Sequence, residues 1–396
     1  MKQQYIIIGS SAAGLGAAGK LRSLDADARI ICLTAEKVMP YNRCLLADHL
    51  SGARPADQVA TKTQSFFDEN NIELMLDSRA VGLDAAAQKV TLANGTSFNY
   101  DKLFLGTGRS AFIPPLPGTQ AAGVFSFFDF DDVTNILAYI KQHNVKQATI
   151  VGAGLSGLEC ADALLAHGLN LTVIERAPHV LASQIDAAGA AFLMNLMKQK
   201  GINVLTSTTV QEVVTHNKRV AGLFLNTGKA MKTDMVIFAI GGSINLDLAR
   251  QANLTIENGG IVTSPSMQTS NPNIFAGGDI CRVHDLVTGG TTISTLWPDA
   301  VQQGMIAAHT MVGLEKNYAG TVTITSSHIF GTTFVTCGPT IKPTEYTQLI
   351  KQEADFYHRL LIHEGTLKGF IMVGNVQGVG QLRKAIVLQE KIFENS

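Results

Sequence analysis

Charge is scarce in this sequence: Asp, Glu, Lys and Arg make up 16% of its 396 residues, and 31 basic side chains stand almost level with 32 acidic ones. No basic tail or patch is visible, so nucleic acid is not expected as a partner. Long apolar runs are lacking too; none approaches the ~18 residues needed to cross a bilayer. The N-terminus enters an apolar strand at Tyr5 with no signal-peptide pattern. These absences predict a soluble, cytoplasmic protein with no membrane partner. Cysteine is sparse: five residues, at 32, 44, 160, 281 and 337, odd in number and scattered. That argues against a disulfide framework and for thiols kept reduced. What abounds instead is apolar side chain, 46%, and glycine, 37 residues. This is the composition of a compact globular enzyme, long enough for two or three cores.

The first thirty-six residues hold the strongest local pattern. Tyr5-Ile6-Ile7-Ile8 reads as a buried strand, Gly9-Ser10-Ser11-Ala12-Ala13-Gly14 as a turn, Ala17 to Leu24 as a helix and Arg29 to Thr34 as the next strand. Glycines let the chain turn sharply and bring backbone N–H groups near a pyrophosphate, which the positive end of the helix dipole stabilises. Glu36, 22 positions beyond Gly14, is placed to accept hydrogen bonds from ribose hydroxyls. Ser11 stands where the middle glycine of the pattern is expected. A second unit follows the proline-rich linker Pro114 to Gly118: strand Ala148 to Val151, an intact G-x-G-x-x-G at Gly152, Gly154 and Gly157, helix Leu158 to His167, and strand Asn170 to Ile174 ending in Glu175. Two such units mean two dinucleotides. The simplest chemical reason to hold both is hydride transfer between them.

Elsewhere the chain reads as short strands at Ile72 to Leu76, Ala80-Val81 and Val90 to Leu92, with apolar strands running into glycine at Tyr100 to Gly108, Met235 to Gly241 and Asn271 to Asp279. The single tryptophan, Trp297, precedes a helix over Ala300 to Met311. The last eighty or so residues read as antiparallel strands at Thr321 to Ile324, Thr332 to Val335, Phe356 to Ile362 and Leu367 to Val373, followed by a helix from Gly380 to Phe393. Cys281 and His284 have a C-x-x-H spacing without a second pair, so no metal site is expected.

As an ordered set, Gly9 to Gly14 with Glu36, Thr107-Gly108, Gly152 to Gly157 with Glu159, Ala239 to Gly241 and Gly278-Asp279 resemble the two-dinucleotide flavoprotein reductases of the pyridine nucleotide-disulfide oxidoreductase superfamily. The resemblance covers nearly the whole chain. It implies an α/β protein with two Rossmann-like dinucleotide-binding domains, one for FAD over 1–112 and 243–317 and one for NAD(H) over 113–242, plus a small α+β C-terminal domain over 318–396. It also implies FAD contacts from Gly9, Ser11, Ala13, Gly14, Glu36, Arg43, Val81, Thr107, Gly108, Gly278, Asp279 and Trp297. NADH contacts are implied for Gly152, Gly154, Gly157, Glu175 and Gly241. Asp279 corresponds to the residue that binds the ribityl chain, and Glu159 to one that orients the nicotinamide. A carboxylate at 175 disfavours a 2′-phosphate, so NADH is expected over NADPH, with Arg176 moderating the preference.

Within the superfamily, Pro40-Tyr41-x-Arg43 with Leu46, and Leu296-Trp297-Pro298 with Ala300, Gln303 and Gly304, are similar to the rubredoxin reductase and nitrite reductase flavin-domain group. The paired cysteines of the dithiol reductases are absent. Two departures bear on chemistry. Asp48 stands where the group often has a lysine, and Cys44 where it commonly has proline; the latter is similar to the single redox cysteine of NADH oxidase, NADH peroxidase and coenzyme A disulfide reductase. A thiol at a helix start beside Arg43 suits a thiolate, yet cysteine is also commonly a small buried apolar residue. The acceptor is therefore open: a small redox protein such as rubredoxin, or oxygen, peroxide or a small disulfide through Cys44. A flavin-bound subunit or redox sensor without turnover is a third reading, against which the intact second unit with Glu175 argues. The superfamily resemblance implies a homodimer through the C-terminal domain, while the short form of that domain is compatible with a monomer.

Overall fold

A computed structural model of the chain describes residues 2–340 and 346–391. Two compact units are formed by interleaved segments. Met1–Asn42, Asp57–Ser110 and Ser243–Thr323 make the first; Arg43–Ala56, Ala111–Gly242 and Ile324–Ser396 make the second.

The first unit is built on a five-stranded parallel sheet in the order Ile274–Ala276, Lys102–Leu105, Gln4–Ile8, Arg29–Leu33, Ile72–Met75. Parallel strands are covered on both faces, which is why Tyr5 to Ile8 and Ile30 to Leu33 are continuous apolar runs and entirely buried. Ile72–Met75, which reads in sequence with the short alternating strands after it, instead takes the edge of this parallel sheet. The antiparallel meander proper is Ala80–Asp84, Lys89–Leu92 and Ser97–Asn99.

The second unit repeats the plan, with parallel strands in the order Asn203–Leu205, Asn170–Ile174, Gln147–Val151, Met235–Phe238, Val124–Ser126. In both sheets the chain reverses its direction of winding beside the central strand. The crevice beyond the carboxyl ends of such strands is where doubly wound folds bind ligands.

The second unit also carries a five-stranded antiparallel sheet, in the order Ile324–Ile329, Thr332–Cys337, Thr366–Val373, Tyr357–His363, Thr347–Gln352, and the helix Val379–Leu388. Its first strand starts at Ile324, not Thr321. Thr321 pairs with the backbone of His284 and Leu286 in the first unit instead. Thr347–Gln352 has no readable sequence signal, because all six residues are exposed at the sheet edge and nothing enforces alternation. The final helix stops at Leu388, with Gln389 in the left-handed region at φ 52°; Phe393, included in the expected helix, lies outside the described residues. No helix among the described residues is long and apolar enough to cross a membrane.

Candidate functional site

The first glycine turn is fixed by close backbone approaches. Gly9 has φ +106°, and a Cβ there would sit 2.1 Å from the carbonyl oxygen of Gly106. A Cβ on Gly14 would sit 1.7 Å from the carbonyl oxygen of Gly9. The helix begins inside the turn, at Ala12, and runs to Leu24. Ser11 is its N-cap residue with φ −88° and ψ −162°, an extended conformation open to any residue, and its hydroxyl makes no cap bond. The equivalent Gly154 has nearly the same backbone, φ −73° and ψ −179°, and a Cβ there would meet nothing within 4 Å. Serine at position 11 therefore costs the turn no backbone strain.

One further sequence-predicted position, Gly278, joins this turn. Gly278, at φ +80°, lies with its Cβ position 3.4 Å from the Ala13 methyl, and its N–H donates to Gln303 Oε1 at 2.7 Å. Gln303, buried on the helix Trp297–Met311, is thus a site residue that the sequence signalled only as part of a longer motif. That helix starts at Trp297 with Pro298 in its first turn, three residues before the expected Ala300. It meets the first helix without side chains between: a Cβ on Gly304 would lie 2.0 Å from Ala13 O, and one on Gly16 2.5 Å from Val301 O. Asp279 follows Gly278 and is half-buried.

Thr107 is locked to Asn245 by reciprocal bonds, Oγ1 to the Asn245 carbonyl at 2.8 Å and Asn245 Nδ2 to the Thr107 carbonyl at 2.9 Å. Gly108 takes φ +60° in open space. Glu36 is half-buried just past the strand Arg29–Leu33. Val81 is exposed, with its carbonyl bound by Gln251 Nε2 at 3.1 Å.

The second turn repeats the first. Gly152 has φ +108°, with its Cβ position 2.5 Å from Ala239 O, and a Cβ on Gly157 would lie 2.0 Å from Gly152 O. The helix runs over Leu155–Leu165 with no side chain capping its start. Its first N–H groups are thus left to an external acceptor. Glu175, at the end of the neighbouring strand, accepts from Ala153 N–H through Oε2 and from Ala177 N–H through Oε1, both at 2.7 Å. Each oxygen keeps a second lone pair for a ribose hydroxyl. Gly241, at φ +92°, is exposed, and its carbonyl accepts from Phe112 N–H at 3.3 Å.

Arg43, Cys44 and Glu159 all lie in the second unit. Arg43–Leu45 is a 3₁₀ turn leading into the helix Leu46–Leu50. Arg43 donates to Phe128 O at 2.9 Å and its guanidinium lies over the Phe128 ring. His49 stacks on Phe130 at 5.0 Å, and the His167 ring meets Leu50 O at 2.7 Å. These contacts hold the segment that bears Cys44, which is exposed, whereas Cys32, Cys160, Cys281 and Cys337 are buried. Burial pushes the Cys32 and Cys337 thiols up to about 12, and those of Cys160 and Cys281 up as well. Cys281 faces the core of its strand while His284, an odd number of residues on, is exposed, so the two do not converge.

Glu159 is half-buried on the helix Leu155–Leu165, and its Oε1 accepts from the Ser327 hydroxyl at 2.7 Å. Asp48, at the position where a lysine was anticipated, is paired with Arg54 at 2.8 Å instead of with Glu159. Desolvation holds the Glu159 carboxyl above its ordinary value, outweighing the Ser327 bond, which lowers it; the Asp48 charge adds a smaller upward push. The folded state thus retains this proton longer than the unfolded chain. Its stabilising contribution is full below the ordinary glutamate value and is lost as pH rises through the elevated one. Glu159→Gln is therefore expected to flatten the fall in melting temperature over that window, as followed by circular dichroism across a pH series.

Two uncapped helix starts, each reached by a strand–glycine turn with a carboxylate one strand away, are suited to phosphate groups and ribose hydroxyls. Residues 3–304 match the pyridine nucleotide-disulphide oxidoreductase family, and the chain belongs to it. It is accordingly a flavoprotein oxidoreductase dependent on NAD(P)H. It is 35% identical over 319 residues to an NADH oxidase of Methanocaldococcus jannaschii, covering 79% of this chain and 71% of that protein. It is 30% identical over 311 residues to the rubredoxin-NAD(+) reductase of Pseudomonas putida, covering 78% and 80%. Its fold superposes on an NAD-dependent persulfide reductase from A. fulgidus with TM-score 0.93 at 27% identity, over 100% of this chain and 79% of that one. Of two longer Bacillus subtilis relatives, which match along almost its whole length, the chain spans 48% and 50%.

Proposed function

We propose that this protein is an FAD-containing, NADH-dependent oxidoreductase that delivers electrons to a small redox protein of the rubredoxin type. The observation that carries the reading is the second turn, an intact glycine cradle with the Glu175 carboxylate bonded across it. The adenosine half of NADH is held there, its pyrophosphate on the N–H groups at the start of the helix Leu155–Leu165 and a ribose hydroxyl on Glu175. A carboxylate at that place repels a 2′-phosphate, so NADH is preferred to NADPH. Glu159, further along the same helix, orients the nicotinamide amide. In the first unit the Gly9–Gly14 turn holds the FAD pyrophosphate, Glu36 the adenine ribose and Asp279 the ribityl chain. FAD, when bound, supplies acceptance of a hydride and onward release of electrons. The protein's share is binding and orientation. Five thiols without a disulfide suit a reducing, cytoplasmic setting.

A second reading is favoured by one observation, the exposure of Cys44 among four buried cysteines. On it, the Cys44 thiolate cleaves the S–S bond of a small disulfide, forming a mixed disulfide and expelling a thiolate, or the O–O bond of a peroxide, forming a sulfenic acid and expelling hydroxide or alkoxide; two electrons from NADH restore the thiol. Cys44→Ser separates the two. On the first reading NADH-dependent reduction of rubredoxin by the serine variant stays within about twofold of the wild type. A loss of about a hundredfold or more, with small-disulfide or peroxide reduction lost in parallel, replaces the first reading with the second; about 2.7 kcal/mol of barrier is then assigned to the thiol.

A further inference from the structure

Glu159 and Ser327 are 168 residues apart in the chain, and their bond joins the helix that starts at the second glycine turn to the first strand of the antiparallel sheet. Its geometry has a chemical consequence. Ser327 donates to Oε1, so Oε1 is spoken for as an acceptor, while Oε2 has no partner among the described residues. The carboxyl is thus held through one oxygen, which leaves the other for a further partner. Among the described residues no cation acts on this carboxylate: the charge beside it is Asp48, with which Arg54 is engaged. A neutral hydroxyl donor holds Oε1 instead, which fixes the direction of Oε2. A carboxyl oxygen so held matches a carboxamide, to whose carbonyl it donates when the group is protonated.

We propose that Ser327 is a positioning residue for the nicotinamide end of the dinucleotide, acting by holding Glu159 with Oε2 turned toward the carboxamide. This rests on the reading of the second turn as the NADH site. Nothing in the Gly152–Gly157 cradle itself depends on Ser327, so the effect of removing the hydroxyl is confined to one end of the ligand. Glutamine at position 159 reproduces the arrangement, because its carbonyl accepts from Ser327 and its amide N–H donates as the carboxyl would.

The test is calorimetric titration of the oxidised holoprotein with two probes: NAD⁺, and ADP-ribose, which has the same adenosine and pyrophosphate but no nicotinamide. Ser327→Ala is expected to weaken NAD⁺ about tenfold and leave ADP-ribose unchanged, with Ser327→Thr restoring NAD⁺. Glu159→Ala is expected to give the same split and Glu159→Gln to bind like the wild type; these two variants decide the matter if Ser327→Ala does not fold. The proposal is overturned if Ser327→Ala or Glu159→Ala alters both probes equally or neither. It is overturned too if threonine or glutamine fails to rescue. Wild-type protein that binds neither probe overturns the NADH site itself, a result distinct from all of these.

Discussion

Gly14→Ala is expected to yield protein that emerges from purification without flavin, and Gly157→Ala to yield yellow protein that NADH reduces poorly. Both follow from the same kind of contact. A methyl at position 14 would lie 1.7 Å from the carbonyl oxygen of Gly9, and one at 157 would lie 2.0 Å from that of Gly152. Each obstacle is backbone, which cannot swing aside as a long side chain does. The helix start must move away from the strand, carrying with it the N–H groups on which the pyrophosphate rests. At the first turn the displacement has nowhere to go, since the helix is already in backbone contact with Gly304 of the helix Trp297–Met311. For Gly157→Ala a loss of at least a hundredfold in NADH affinity is expected, about 2.7 kcal/mol. Flavin content is read from visible absorbance after desalting, and NADH affinity from anaerobic titration. Full flavin retention in Gly14→Ala, or wild-type NADH affinity in Gly157→Ala, would remove the corresponding turn from the site. Ser11→Gly serves as the contrast: the extended backbone at that position needs no glycine, so the change should be nearly silent.

The second large effect concerns stability. Asp186 caps the helix Ala187–Gln199 through Oδ1, which accepts from Gly189 N–H at 3.0 Å. Its Oδ2 accepts from Tyr357 and Arg359 of the antiparallel sheet, each at 2.6 Å. The two partners are unequally buried: the Arg359 side chain is 4% exposed and that of Asp186 23%. Burial and the carboxylate beside it also push the Tyr357 hydroxyl well above its ordinary value, so it stays a donor. Removing the acid leaves a buried guanidinium with no counter-charge and uncaps the helix. Removing the base leaves a partly hydrated carboxylate that still has Tyr357 and Gly189 as donors.

Asp186→Ala is therefore expected to cost about 4 kcal/mol, and Arg359→Met, which keeps the volume, about 1 kcal/mol. Urea unfolding followed by circular dichroism and by tryptophan fluorescence measures both. Equal costs for the two variants would mean that the guanidinium is not desolvated as its burial indicates.

These cases mark where local sequence information ends. The two turns were legible because each requirement is met within a few residues: a strand of buried apolar side chains, a left-handed glycine, and a last glycine against the carbonyl of the first. Glu36 and Glu175 were legible for the same reason, since one helix and one strand set their distance from the turns. The serine departure was legible as a departure, but only the backbone angles at Ser11, matched to those at Gly154, explain why it is tolerated. Ile72–Met75 was legible as a strand but not as part of the parallel sheet, because an edge strand buried on one side has the same alternation as an antiparallel one.

What the sequence by itself determined is the pair of strand–glycine turn–helix units and the acid one strand beyond each, because backbone conformation at glycine and the spacing of one strand–helix–strand unit are local properties. Tertiary structure alone decided that Ser327 holds Glu159, that Gln303 receives Gly278, that Asp186 binds Arg359, and that the Arg43–Ala56 segment belongs with the second unit. The reason is physical. A hydrogen bond between residues 25 to 173 positions apart leaves no trace in the pattern around either one, and it forms only when packed elements bring the donor within about 3 Å of its acceptor.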